Sequence, residues 1–211
     1  MKHFINRDLL APNVLTVPVD PAIVDEFAGL AADYSDRTRY HVVSPPWSSD
    51  IVWVSANDEE TFVRFQSAFD RLGVATHVEP YLDLDRGVRL YCGFLVIRSR
   101  CAAANFHCDW EKTNNEAFTL ITPIGSEHED FGLLYRRLDG ETAEYAYRRG
   151  EAIILGDHFS HSTRPGASPE PVALLSFTFG TDRMEHWDKI ALTAGRQSDL
   201  FRLPDGRFQR R

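Results

Sequence analysis

From residue 88 onward the chain reads as a series of short apolar runs broken by turn residues. The runs fall at 88–98, 105–110, 118–122, 132–137, 143–147, 151–155 and 172–179. Between them stand Asn114-Asn115, Pro123-Ile124-Gly125, Leu138-Asp139-Gly140, Arg149-Gly150 and Pro165-Gly166. Many short strands at this spacing bury their apolar faces by closing into a sandwich or a barrel. The region before residue 88 has a different texture. Short strands are expected at 14–17, 40–43 and 51–54. A helix opens at Asp20-Pro21, with Asp as cap and Pro in the first turn, and carries Ala22, Ile23, Phe27, Leu30 and Ala31 on one face. A second starts in the acidic Asn57-Asp58-Glu59-Glu60, buries a Phe62, Phe65, Phe69 and Leu72 stripe, and stops at Gly73. After Gly180 the pattern is helical again over 183–193, and Leu203-Pro204-Asp205-Gly206-Arg207 is a turn. The expected organisation is one domain over 1–211. In it, helices and strands of 1–87 pack on a β-core of 88–180, and 181–211 adds a helix and tail.

Composition narrows the function classes. A chain of 211 residues with 43% hydrophobic residues can enclose one sizeable core. A formal charge of −8 argues against general nucleic-acid binding, which needs basic surface. There is no apolar run of about 18 residues to cross a membrane. The first residues lack the apolar core of a secretory signal, so the expectation is a cytoplasmic protein with no membrane partner. Three cysteines, Cys92, Cys101 and Cys108, form an odd set that reads as reduced thiols.

The chemistry centres on Asn105-Phe106-His107-Cys108-Asp109-Trp110. On a strand, His107 and Asp109 share a face and Cys108 points away as a packing residue. Far downstream, Gly156-Asp157-His158-Phe159-Ser160-His161 offers a further imidazole. Two histidines and a carboxylate leave coordination positions open, the donor set of non-haem Fe(II) oxygenases. His161 is the favoured third ligand, and His158 is the alternative.

The order of glycine, apolar strand, loop, histidine and Pro-Gly across Gly150 to Gly166 resembles the distal-histidine region of the 2-oxoglutarate/Fe(II)-dependent dioxygenases. With His107-Cys108-Asp109 it matches their His-x-Asp…His motif, and 174–179 resembles their last core strand. The resemblance spans about residues 88–180. It implies a mainly β chain with flanking helices around a double-stranded β-helix (jelly-roll, cupin-like) core. It also implies Fe(II) held by His107, Asp109 and His161, with 2-oxoglutarate and O₂ as cosubstrates. The reaction implied is oxidation of a C–H bond of a small molecule, as in the phytanoyl-type and related hydroxylases. The family's halogenases replace the carboxylate with a small residue, so Asp109 favours hydroxylation or a related oxidation.

One feature departs from the family pattern. Many of these enzymes grip the distal carboxylate of 2-oxoglutarate with an arginine about ten residues past the distal histidine. That position falls near Pro171, and no basic residue lies between Gly166 and Phe179. Arg98 and Arg164 are the candidate replacements, because a guanidinium binds a carboxylate in a two-pronged fashion. Arg164 has unfavourable strand parity with His161. Thr119 and Tyr91 are candidate hydroxyl contacts. Two other readings compete: a cupin-type metal protein that does not use 2-oxoglutarate, and a non-catalytic jelly-roll binding module. The sequence selects neither a substrate nor an oligomeric state.

Overall fold

The computed structural model describes residues 3–45, 50–125 and 128–211, the side chains of 128–130 excepted. The acidic stretch from Glu127 therefore lies partly outside the described residues. In chain order the elements begin with strands β1 (Ile5–Asn6), β2 (Ala11–Pro12) and β3 (Val14–Pro18), then helices α1 (Pro21–Asp25) and α2 (Ala28–Ala32). Strands β4 (Tyr40–Val43) and β5 (Val52–Ala56) precede helices α3 (Glu59–Leu72) and α4 (Ala75–Val78). The β-rich region runs through β6 (Arg89–Cys101), β7 (Ala117–Pro123), β8 (His128–Arg136), β9 (Thr142–Tyr147), β10 (Glu151–Leu155), β11 (His161–Thr163) and β12 (Gly166–Gly180). Helix α5 (Trp187–Gln197) and the hairpin β13 (Leu200–Arg202) and β14 (Phe208–Arg210) end the chain.

Among the described residues, two antiparallel sheets face each other. The large one has the order β3-β10-β7-β12-β6-β5-β4, and the small one the order β11-β8-β9. This is a jelly roll. Between the sheets lie Phe131, Leu133, Tyr135, Tyr145 and Tyr147 of the small sheet, against Ile153, Leu155, Val172 and Leu174 of the large one. The opposite face of the large sheet is covered by the helices. Phe27, Phe62, Phe65 and Phe69 pack there on Leu95, Leu120, Leu175 and Phe177. Each such side chain contributes about 1.5–3 kcal/mol by leaving water.

Helix α3 forms where the sequence places it. Asp58 accepts the Thr61 N–H at 2.7 Å, and the Asp58 N–H reaches the Thr61 hydroxyl, a reciprocal cap. Gly73 ends the helix at φ 65°, a left-handed conformation that glycine adopts without steric cost. Gly93 in β6 lets the helix sit close, since a Cβ there would come within 2.6 Å of the Phe65 ring. Gly93→Ala is therefore expected to lower unfolding free energy by about 1–3 kcal/mol, measured by guanidinium denaturation.

Three local expectations are corrected. The first helix is two short ones, broken at Phe27. The last strand is longer than 172–179 but slips register between Ala167 and Val172, where Pro169 and Pro171 supply no N–H to the ladder. The 105–110 segment is not a continuous strand: within it only His107 pairs, across to His161. That single bridge extends the small sheet beyond β11.

Candidate metal centre

The backbone of His107 and His161 forms a reciprocal pair, each N–H donating to the other's carbonyl at 2.9 Å. Directly paired residues on antiparallel strands project to the same side. The two rings accordingly lie with centroids 4.6 Å apart. Asp109 follows two residues after His107 and aims its carboxylate between them. Its Oδ1 is 3.6 Å from His107 Nε2 and 3.9 Å from His161 Nε2. One donor atom from each of the three lies within 4.8 Å of the others.

Tautomers follow from the backbone. His107 Nδ1 lies 2.9 Å from the Asn105 carbonyl, and His161 Nδ1 lies 3.1 Å from the Phe159 carbonyl. A carbonyl oxygen carries no proton, so each Nδ1 must donate, which leaves Nε2 with its lone pair toward the shared point. Burial pushes the His161 imidazole below its ordinary pKa, with the Asp109 charge pulling the other way. The neutral, metal-binding form of His161 is favoured. The ring stacks on Phe159, which stacks in turn on Tyr135.

The Asp109 loop is pinned from two sides. The Thr193 hydroxyl of α5 donates to the Asp109 carbonyl at 3.0 Å. The Trp110 indole N–H donates to the Thr119 hydroxyl at 3.0 Å. Cys108 lies half-buried on the flank, its thiol pushed up to about 11 mainly by burial, so it stays protonated.

The other sequence candidates separate clearly. Arg98 is 9% exposed, with Nη1 donating to the Thr163 hydroxyl at 2.7 Å and Nε to the Arg100 carbonyl at 3.2 Å. It lines a cavity of about 410 Å³ together with His107, Asn105, Ser162 and Thr163. Its Cα partner on β12 is Val172, next to Pro171. Arg98 thus stands on the strand beside the position near Pro171. Arg164 is instead paired to Glu144 at 2.6 Å on the outer side. The Thr119 hydroxyl is occupied by Trp110. Tyr91 falls at a register slip between β6 and β12, and its hydroxyl donates to the Thr181 carbonyl at 2.7 Å. The bulge turns it under α5 against Trp187, away from His107, Asp109 and His161. His158 is exposed and takes a left-handed backbone with φ 64°. Its ring lies beside His3, 5.9 Å between centroids, outside the cluster of three.

Sequence reasoning missed a buried polar network behind the ligand loop. The Asn13 side chain donates to the Asp157 carbonyl at 2.6 Å and accepts from Asn115 at 2.7 Å. Asn115 in turn accepts the Asp157 N–H at 2.9 Å, and the Thr113 hydroxyl donates to the Asp157 carboxylate. Asn13 and Asn115 hold φ of 51° and 62°, as asparagine tolerates. The Asn114-Asn115 pair signalled a turn but not this clamp. Asn13→Ala is expected to cost about 2–4 kcal/mol of stability in urea titration, since it orphans several buried groups at once.

Comparison with solved structures agrees with this architecture. The α-ketoglutarate-dependent epimerase SnoN of nogalamycin biosynthesis aligns at TM-score 0.60 and 13% identity, over 81% of this chain and 78% of that one. HygX from Streptomyces hygroscopicus, crystallised with nickel and 2-oxoglutarate, aligns at 0.59 and 14%, over 84% and 88%. A prolyl-4-hydroxylase of Pseudomonas putida aligns at 0.56 and 14%, over 80% and 92%. No family model matches the chain, and no curated protein matches it in sequence. The fold is that of the non-haem Fe(II)/2-oxoglutarate oxygenases.

Proposed function

We propose that the chain is a non-haem Fe(II)- and 2-oxoglutarate-dependent oxygenase that oxidises a C–H bond of a small molecule, most simply by hydroxylation. The observation that carries this is the convergence, within a jelly roll, of one carboxylate and two imidazoles held at Nδ1 by backbone carbonyls. The donor set fits a divalent iron: two imidazoles and one carboxylate, with space left on the open side. His107, Asp109 and His161 would hold the ion. Iron with 2-oxoglutarate and O₂ supplies the oxidising power.

The remaining work belongs to the chain. Arg98 offers a buried cation with no carboxylate partner among the described residues, beside His107. It is the group to bind the distal carboxylate of 2-oxoglutarate, supported by the Thr163 hydroxyl. This reading accounts for the departure at Pro171, which is the main support for the binding-module reading. The carbonyls of Asn105 and Phe159 hold the histidine tautomers, and Thr193 and Thr119 hold the loop carrying Asp109.

The test is anaerobic titration of Fe(II) with and without 2-oxoglutarate, following the weak visible band of the Fe(II)–2-oxoglutarate chelate. The band is expected with both present. Iron binding without any band would favour the cupin-type reading, and no iron binding would remove the oxygenase.

A further inference from the structure

Two cavities open on His107. One holds Arg98. The other, about 240 Å³, lies on the far flank and is lined by Trp53, His107, Asp109, Thr193, Arg196 and Gln197. Trp53 and Arg196 also line an outer cavity of about 390 Å³, so together they mark a path from the surface to the ligands. If the Arg98 side takes the cosubstrate, this flank is left for the molecule to be oxidised.

The polar groups of this flank are specific. Gln197 is 7% exposed, and its Oε1 accepts the Thr178 hydroxyl at 2.5 Å. That bond orients the amide and leaves the donor pair on Nε2 to be engaged. Among the described residues, no acceptor is hydrogen-bonded to that nitrogen. The adjacent Arg196 is exposed, and no carboxylate or carbonyl among the described residues pairs with it. On the wall opposite Asp109, the Gln197 amide and the Arg196 guanidinium present donors, one of them cationic, which suit an anionic acceptor. A guanidinium presents its N–H groups in the plane that matches a carboxylate. Among the described residues Arg196 is the cation of this cavity, and Arg211 and Asp199 of the outer cavity offset one another, which suits a monoanion better than a phosphate dianion. Trp53, in edge contact with Phe94 at 6.1 Å, gives the cavity an aromatic wall for a flat or apolar skeleton.

We propose that this cavity binds the substrate through a carboxylate held by Arg196 and Gln197, with its carbon skeleton against Trp53 and its far end toward the ligand cluster. The proposal rests on the oxygenase reading for its meaning, but its test does not. Phenylacetate and the uncharged phenylacetamide serve as probes, titrated calorimetrically without oxygen, with and without 2-oxoglutarate. Phenylacetate is expected to bind at least tenfold more tightly than the amide. That preference should vanish in Arg196→Ala, weaken in Gln197→Leu and survive in Arg98→Ala. Equal binding of the two probes, no binding of phenylacetate, or a loss that follows Arg98 instead of Arg196 would each overturn it. Failure of the oxygenase reading shows separately, as absent Fe(II) binding with the probe pattern unchanged.

Discussion

His161→Ala is expected to abolish stable Fe(II) binding and the 2-oxoglutarate-dependent band, while His158→Ala leaves both nearly intact. His161 is 4% exposed, its Nδ1 is anchored, and its Nε2 faces Asp109. Among the described residues no further donor joins the cluster, and His158 lies outside it beside His3. Changes to groups that merely orient a ligand typically cost 10–100-fold in metal affinity, so loss of the ligand itself should exceed roughly 100-fold. Circular dichroism of the apo variant checks that the fold persists. An iron affinity within a few-fold of wild type in His161→Ala would remove the triad assignment. A large loss in His158→Ala would move it.

Arg98→Ala should raise the 2-oxoglutarate concentration required for half-saturation by about 30-fold or more. Truncating one partner of a desolvated, hydrogen-bonded charge pair costs about 2 kcal/mol at the low end. Arg98→Lys should recover only part, since an ammonium lacks the fork geometry. Arg164→Ala, whose guanidinium is bound to Glu144 on the outside, should change half-saturation little. Because Val172 is the Cα partner of Arg98, exchanging the two residues should restore some affinity from the other strand. Half-saturation unchanged in Arg98→Ala would assign the cosubstrate carboxylate elsewhere.

These two residues show how far the sequence could be read. His107, Asp109 and His161 are legible as types in a pattern: i and i+2 share a side even where only one residue pairs. The stripe on α3 and its glycine stop are likewise local rules. What lay out of reach depends on register. That Arg98 stands opposite Val172 follows from pairing between β6 and β12, which no single segment encodes. Tyr91 lies in a bulge with its hydroxyl on the Thr181 carbonyl, and a bulge is settled by packing across strands. Thr119 does face the interior, but Trp110 occupies its hydroxyl, a contact across two loops. The Asn13–Asn115–Asp157 clamp joins residues far apart in the chain through side-chain amides, which leave no periodic trace. Helix α1 ended early because short helices depend on tertiary support as much as on their caps.

The backbone bridge between His107 and His161 makes the two imidazoles dependent on one another. Each histidine holds the other's main chain, so neither can swing out alone. Opening of this seam dismantles the donor set and frees the end of the small sheet in the same event. An ion seated there would latch the mouth of the jelly roll shut. Amide hydrogen exchange at 107 and 161 should therefore slow together when metal is added, with a common dependence on its concentration.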